Sequence, residues 1–331
     1  MRYTEDESAR MLLAALVEPG HAVTGRLVKL LGPAETVELI RDPGRAFPAQ
    51  VDPLDGEMWR QSAATRQTDK LAGQLMQRTE QHELRLLTPG SPGWPVSLAD
   101  LGDRAPVALW ASGNPELLTS SLTSRVTITG ARAASSYGEE VTRALASDLA
   151  AEPCIIVSGG AYGIDAAAHR AALATRPAST IAVLPGGLDR PYPSAHADLF
   201  RQITDQGGII LSEAPPESVP TKWRFIARAR LLAALGGATV IPEAGYRSGS
   251  LLVAARATGL GRPVGAVPGP ITSVSSAGCH RLMREEMAEV ITHTGDVTEM
   301  LTPRPFRLGP AYEQAARRAA ISTTAAGRPA L

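Results

Sequence analysis

Aromatic side chains make up only 4% of the 331 residues, so the core must be aliphatic, built from Ala, Val, Leu and Ile. An excess of either charge is also missing, because 33 Lys and Arg balance 33 Asp and Glu. Affinity for nucleic acid must then come from a local patch rather than from net charge. The two cysteines, Cys154 and Cys279, lie far apart and flank nothing with metal-ligand spacing, so no metal is expected and a reducing, cytoplasmic compartment is the default. The N-terminus carries no basic-then-apolar signal, and no apolar run approaches spanning length, which predicts a soluble chain with no membrane contact. Catalytic signatures are missing too. There is no G-x-S-x-G, no H-E-x-x-H and no pair of carboxylates at acid/base spacing. Glu213 and Glu243 end apolar runs where a base would be useful, but neither has a sequence-evident partner. The pattern predicts a binder without a cofactor rather than a catalyst.

What is present is organised around Arg125 to Asp165, where two β-branched runs each stop at glycine and each lead into a helical segment. That unit, repeated, builds a parallel α/β sheet. Strands are expected at 125–130, 154–158, 180–184, 208–212, 238–242 and 263–267. Helices are expected at 138–151, 165–175, 194–206, 226–235 and 250–260. Near-continuous apolar strands alternating with helices predict a Rossmann-like, doubly wound, mostly parallel sheet. A helix near 279–287 and a short strand at Val290 follow. Residues 1–56 read as a small all-α module plus a Pro/Gly-rich linker. Residues 57–120 read as a polar helix from Met58 to His82 and an extra strand, Val107–Ala111, leading into a core at 121–301. A tail at 302–331 is expected to form a frayed helix.

Four strand-ending loops carry the candidate site. The first is Gly130-Ala131-Arg132, whose glycine permits a sharp turn and whose guanidinium would project over the crevice. Its plainer reading is a turn with a solvated arginine. The second, Ser158 to Asp165, places Gly159, Gly160 and Gly163 between a strand and a helix as a nest of N–H donors, with Asp165 as helix cap. It fits neither the dinucleotide fingerprint nor the P-loop, and His169, one turn on, reads as a structural histidine. The third contains Gly186 and Gly187 ahead of Asp189 and Arg190. The fourth is Arg247-Ser248-Gly249-Ser250, before a helix whose positive dipole end suits phosphate. Between Glu217 and Glu243 no acidic residue occurs, while Lys222, Arg224, Arg228 and Arg230 interleave with Trp223 and Phe225. Cations beside rings suit single-stranded nucleic acid, and the plainer reading is a solvated helix start with buried rings.

Together these segments resemble the DNA-processing protein A (DprA/Smf) family. The resemblance rests on Leu86 to Pro95, Gly130-Ala-Arg132, Ser158 to Asp165 with Ala-Ala-His169, Gly187-Leu-Asp-Arg-Pro-Tyr-Pro193, Leu211-Ser-Glu213, Arg247-Ser-Gly-Ser-Leu251 and Ala266-Val-Pro-Gly269. It implies a homodimer that binds single-stranded DNA and loads the RecA recombinase in DNA uptake and recombination. The implied contacts are Arg132, Ser158, Gly159, Lys222, Phe225, Arg228 and Arg230, with Arg247 and Ser248 added on looser matching. The chain departs from the family pattern at Tyr162, where an arginine is usual, at Ala229 and at His280. A nucleotide hydrolase using Leu184-Pro-Gly-Gly187 and Glu243 is the competing enzyme reading, and a nucleotide sensor is a third.

Overall fold

The computed structural model describes residues 3–66 and 70–302; the expected tail helix lies outside them from residue 303 on. Five helices lead the chain: α1 (Glu5–Leu16), α2 (Ala22–Leu31), α3 (Pro33–Arg41), α4 (Pro53–Ala64) and α5 (Leu71–Gln81). The expected single helix over Met58–His82 is two, the first beginning at Pro53 behind an Asp52 cap that accepts from the Leu54 and Asp55 N–H groups. Then come β1 (Arg85–Leu87), β2 (Leu109–Gly113), β3 (Arg125–Ile128), α6 (Ser136–Ala151), β4 (Ile155–Ser158), α7 (Ile164–Thr175), β5 (Thr180–Leu184), α8 (Ala197–Asp205) and β6 (Ile209–Ser212). The chain continues as α9 (Lys222–Leu235), β7 (Ala238–Ile241), α10 (Ser250–Gly259), β8 (Val264–Ala266), α11 (Ala277–Arg284), β9 (Glu289–Val290) and α12 (Thr294–Leu301).

All nine strands form one sheet in the order β1-β2-β6-β5-β4-β3-β7-β8-β9. Every pairing from β6 to β9 is parallel, while β1 and β2 add an antiparallel edge. The strand order reverses at β3, with β4, β5 and β6 built out on one side and β7 and β8 on the other. Such a reversal opens a crevice between the loops that leave β3 and β7.

Side chains alternate across the sheet, so each strand feeds two layers. Ile155, Val157, Ile181, Val183, Ile209 and Leu211 pack with Leu231, Leu232, Val253 and Ala254 of α9 and α10. Val126, Ile128 and Ile156 face the other way, against Leu145, Leu149, Ala168 and Ala172 of α6 and α7. In the N-terminal helices Leu13, Leu16, Leu27, Val37 and Trp59 share a cluster, and the Trp59 Nε1–H donates to Thr24 Oγ1 at 2.8 Å. Met11 of α1 packs instead with Leu75, Leu86 and Trp110. Among the described residues no helix is long and apolar enough to cross a membrane.

Candidate nucleic-acid interface

A cavity of about 790 Å³ opens at the strand-order reversal. The loop after β3 supplies Gly130 and Arg132, the loop after β7 supplies Tyr246 to Gly249, and α10 begins there with Ser250. Helix α9 forms another wall with Lys222, Phe225, Arg228 and Ala229. These positions are three and four apart, so they share one helical face. The helix starts four residues earlier than the apolar pattern implies, because the Thr221 hydroxyl accepts from the Arg224 N–H at 3.3 Å and caps it. That earlier start brings Lys222 and Phe225 onto the cavity.

Four cations line the cavity: Arg132, Lys222, Arg228 and Arg247. Arg132, Lys222 and Arg247 are exposed. Asp165 is the one carboxylate on the wall, and it is already engaged: Oδ1 accepts the Thr129 hydroxyl at 2.8 Å and Oδ2 accepts the Ala161 N–H at 3.1 Å. The Arg132 and Arg228 guanidinium carbons stand over the Phe225 ring, 4.7 and 5.3 Å from its centroid. Tyr192 meets the same ring edge-on at 5.9 Å. Arg228 is anchored by donating Nη1–H to the carbonyls of Gly159 and Val183. Burial lowers its pKa, Asp165 raises it and Arg132 lowers it again, and a guanidinium stays charged throughout. A ring beside an anchored cation, Arg228, and an exposed one, Arg132, offers stacking for a base and charge for its phosphates.

Gly130 is required by sterics. A Cβ there would lie 2.5 Å from the Glu243 carbonyl oxygen and 2.7 Å from the Ile164 side chain. Glu243 braces the loop from below, accepting the Ser135 N–H at 2.8 Å on one oxygen and its hydroxyl at 2.7 Å on the other. Both oxygens of this candidate base therefore hold a turn in place. The Pro-Gly-Gly loop lies elsewhere, with the Gly187 N–H donating to the Ser218 carbonyl, so Gly186 and Gly187 do not face the cavity. The two parts of the hydrolase reading are not on one wall.

Several expected site residues sit away from the cavity. Arg230 is the main correction. Two residues on from Arg228, it is rotated by roughly 200° around the helix axis and points to the opposite side of α9. There it is buried, with Nη2 2.6 and 2.7 Å from the two Glu213 carboxylate oxygens, Nε–H donating to the Arg104 carbonyl and Nη1–H to that of Ala227. It lines a second cavity, of about 570 Å³, with Trp223 and Ala227. Ser158 is fully buried, its hydroxyl spent on the Ile128 carbonyl at 2.6 Å. Gly159 meets the site only through the carbonyl that holds Arg228. Gly160 and Gly163 take positive φ, 72° and 68°, to close the turn. Asp165 is not the cap of α7, a place held by Gly163, and its carboxylate occupies the Ala161 N–H of the expected anion nest.

His169 is fully buried. Thr180 gives its hydroxyl hydrogen to the Ile156 carbonyl, so the contact of 2.7 Å between Thr180 Oγ1 and His169 Nδ1 requires the histidine to donate. Burial pushes its pKa down to about 4, and it is neutral at neutral pH. Tyr246 was not among the sequence candidates. It stands at the cavity lip, 56% exposed, with Arg281 over its ring at 5.2 Å. Its place in a Gly-bearing loop after a strand was the only signal for it.

Fold and site define a Rossmann-like α/β protein with a cationic, ring-bearing cavity where its strand order reverses. Residues 85–302 match the family model described as DNA recombination-mediator protein A, and the chain belongs to that DprA/Smf family. It is 40% identical over 299 residues to a Mycobacterium tuberculosis relative, covering 87% of this chain and 73% of that one. Identity to DNA processing protein DprA of Streptococcus pneumoniae is 41% over 208 residues, covering 62% and 70%. The solved structure of the Streptococcus pneumoniae protein superimposes with a TM-score of 0.68 at 30% identity, over 93% of this chain and all of that one. DNA processing protein A of Helicobacter pylori, solved in a study of its single-stranded DNA binding mode, gives 0.58 at 31%, covering 66% and 95%.

Proposed function

We propose that this chain binds single-stranded DNA in the cavity at the β3/β7 crevice and hands it to the RecA recombinase, acting as a cytoplasmic homodimer in DNA uptake and recombination. The observation that carries the reading is the Phe225 ring under Arg132 and Arg228, flanked by exposed Lys222 and Arg247. Rings take bases regardless of sequence, and cations follow the phosphates. Membership in the family and the single-stranded DNA binding of the Helicobacter pylori relative support the same reading. Binding is non-catalytic in this proposal, since both oxygens of Glu243 and both of Glu213 serve structural contacts. The test measures RecA filament formation on oligonucleotides precoated with single-strand-binding protein. The wild type is expected to accelerate it and Arg132→Ala/Lys222→Ala to fail. Equal acceleration by both overturns the reading.

A further inference from the structure

The cavity does not end at its own wall. The loop after β4 separates it from a second cleft of about 460 Å³ on the α6/α7 layer of the sheet. Ala161 faces the first cavity, while Tyr162 and Gly163 face the second. The two rims are in direct contact, since a Cβ on Gly163 would fall 2.6 Å from the carbonyl oxygen of Arg132. A chain leaving the cavity past Arg132 meets this cleft next.

Three features equip the cleft for the same polymer. Tyr162 is 48% exposed yet fixed, because its ring meets His196 edge-on at 4.6 Å. His196 is itself tethered through Nδ1 to the Gly160 carbonyl at 3.0 Å and packs on the buried Phe200. An exposed ring backed by a tethered second ring is held ready for stacking, at low entropic cost on binding. Arg143 and Arg170 line the cleft, both exposed, and neither forms an ion pair among the described residues. Glu139 is the one carboxylate on the lining. Helix α7 also begins here, capped by Gly163 on the cleft lining, and adds its positive dipole end.

We infer that Tyr162, Arg143 and Arg170 form a second station for the same single strand, one that takes the nucleotides emerging from the Phe225 cavity. The inference rests on the proposed DNA binding in that cavity. Its consequence is a footprint that runs over the sheet edge, from the α9/α10 layer to the α6/α7 layer.

The test compares labelled oligothymidylates of about 6 and about 20 nucleotides, the first filling one station and the second able to reach both. Fluorescence anisotropy across a salt series reads affinity and salt slope for wild type, Arg143→Ala/Arg170→Ala, Tyr162→Ala and Tyr162→Phe. For the long oligomer the double variant is expected to lower the salt slope by about 1.4, at about 0.7 per phosphate contact. Tyr162→Ala is expected to weaken long-oligomer binding about tenfold, and Tyr162→Phe to restore it. Short-oligomer binding is expected to be unchanged in all three. Unchanged long-oligomer affinity and slope overturn the second station while leaving the cavity intact. No binding of either length, or short-oligomer binding indifferent to Lys222→Ala, removes the cavity reading and the second station with it.

Discussion

Replacing Lys222 by alanine tests one proposed phosphate contact with little structural side effect. The side chain is exposed at the first residue of α9, and its ammonium forms no ion pair among the described residues. A cation there opposes the helix dipole, so its removal stabilises the fold by a few tenths of a kcal/mol, of the order of 0.3. Binding moves the other way. Three exposed cations line the cavity, Arg132, Lys222 and Arg247. At about 0.7 per neutralised phosphate on a single strand they give a slope of about 2 in log K against log salt. Between about 50 and 200 mM salt the wild type then loses roughly 20-fold in affinity for an oligomer confined to the cavity, and Lys222→Ala roughly sevenfold. Anisotropy titrations with a short labelled oligothymidylate measure both slopes, and thermal unfolding checks that stability has not fallen. Parallel salt plots for the two proteins would show that Lys222 meets no phosphate and would refute the assignment of this wall.

The other predictions separate stacking, packing and protonation. Phe225→Ala removes the ring beneath Arg132 and Arg228 and is expected to cost about 1–3 kcal/mol of single-strand affinity, with Phe225→Trp retaining most of it; equal affinities for wild type and Phe225→Ala would exclude stacking there. Arg230→Ala leaves Glu213 buried and unpaired, so chemical denaturation should show a loss of about 3–5 kcal/mol, while the folded fraction binds DNA normally. A stable Arg230→Ala protein that no longer binds would return Arg230 to the DNA site. For His169 the folded pKa of about 4 lies below the unfolded value near 6.5, so the unfolded chain takes the proton first. Its contribution is fully present above pH 6.5 and is lost as pH falls toward 4, a total of about 3 kcal/mol. His169→Asn, which keeps a donor for Thr180, should flatten denaturation midpoints across that window, and identical pH profiles would refute the assignment.

The sheet was readable because its strands are apolar on both faces. β5 is Thr180–Leu184, as the apolar run predicts, and the other core strands fall within a residue or two of their expected ends. Helix starts were harder, since capping outweighs apolar pattern: Thr221 begins α9 at Lys222, over a mixed Lys-Trp-Arg-Phe turn that lies before the 226–235 apolar pattern. At the site, the loops carrying Arg132 and Arg247 to Ser250 were legible as glycine-bearing strand ends. The run of cations does not by itself show that Arg228 and Arg230 part company, which follows only once a helix sends positions two apart to different sides. In the Ser158–Asp165 loop the glycines are visible in the sequence, but the Asp165 carboxylate that reaches the Ala161 N–H first is not. The support of Tyr162 by His196 joins residues 34 positions apart, and no local pattern encodes it.

Helix α9 explains why the cationic run is denser than the proposed DNA binding alone requires. On one face Lys222, Phe225 and Arg228 look into the cavity, and on the other Trp223, Ala227 and Arg230 look into the second one. Arg230 ties that second face to Glu213 at the end of β6 and to the Arg104 carbonyl, so α9 is held from behind while its front remains free for a ligand. Arg228 does the same within the front face, spending one nitrogen on Gly159 and Val183 and still standing over Phe225. A platform for an irregular, mobile strand gains affinity when its own groups are already fixed, because less ordering remains to be done on binding. The arginines of α9 are thus divided between holding the platform and forming it, and only substitutions of the second kind should change the affinity of an otherwise stable protein.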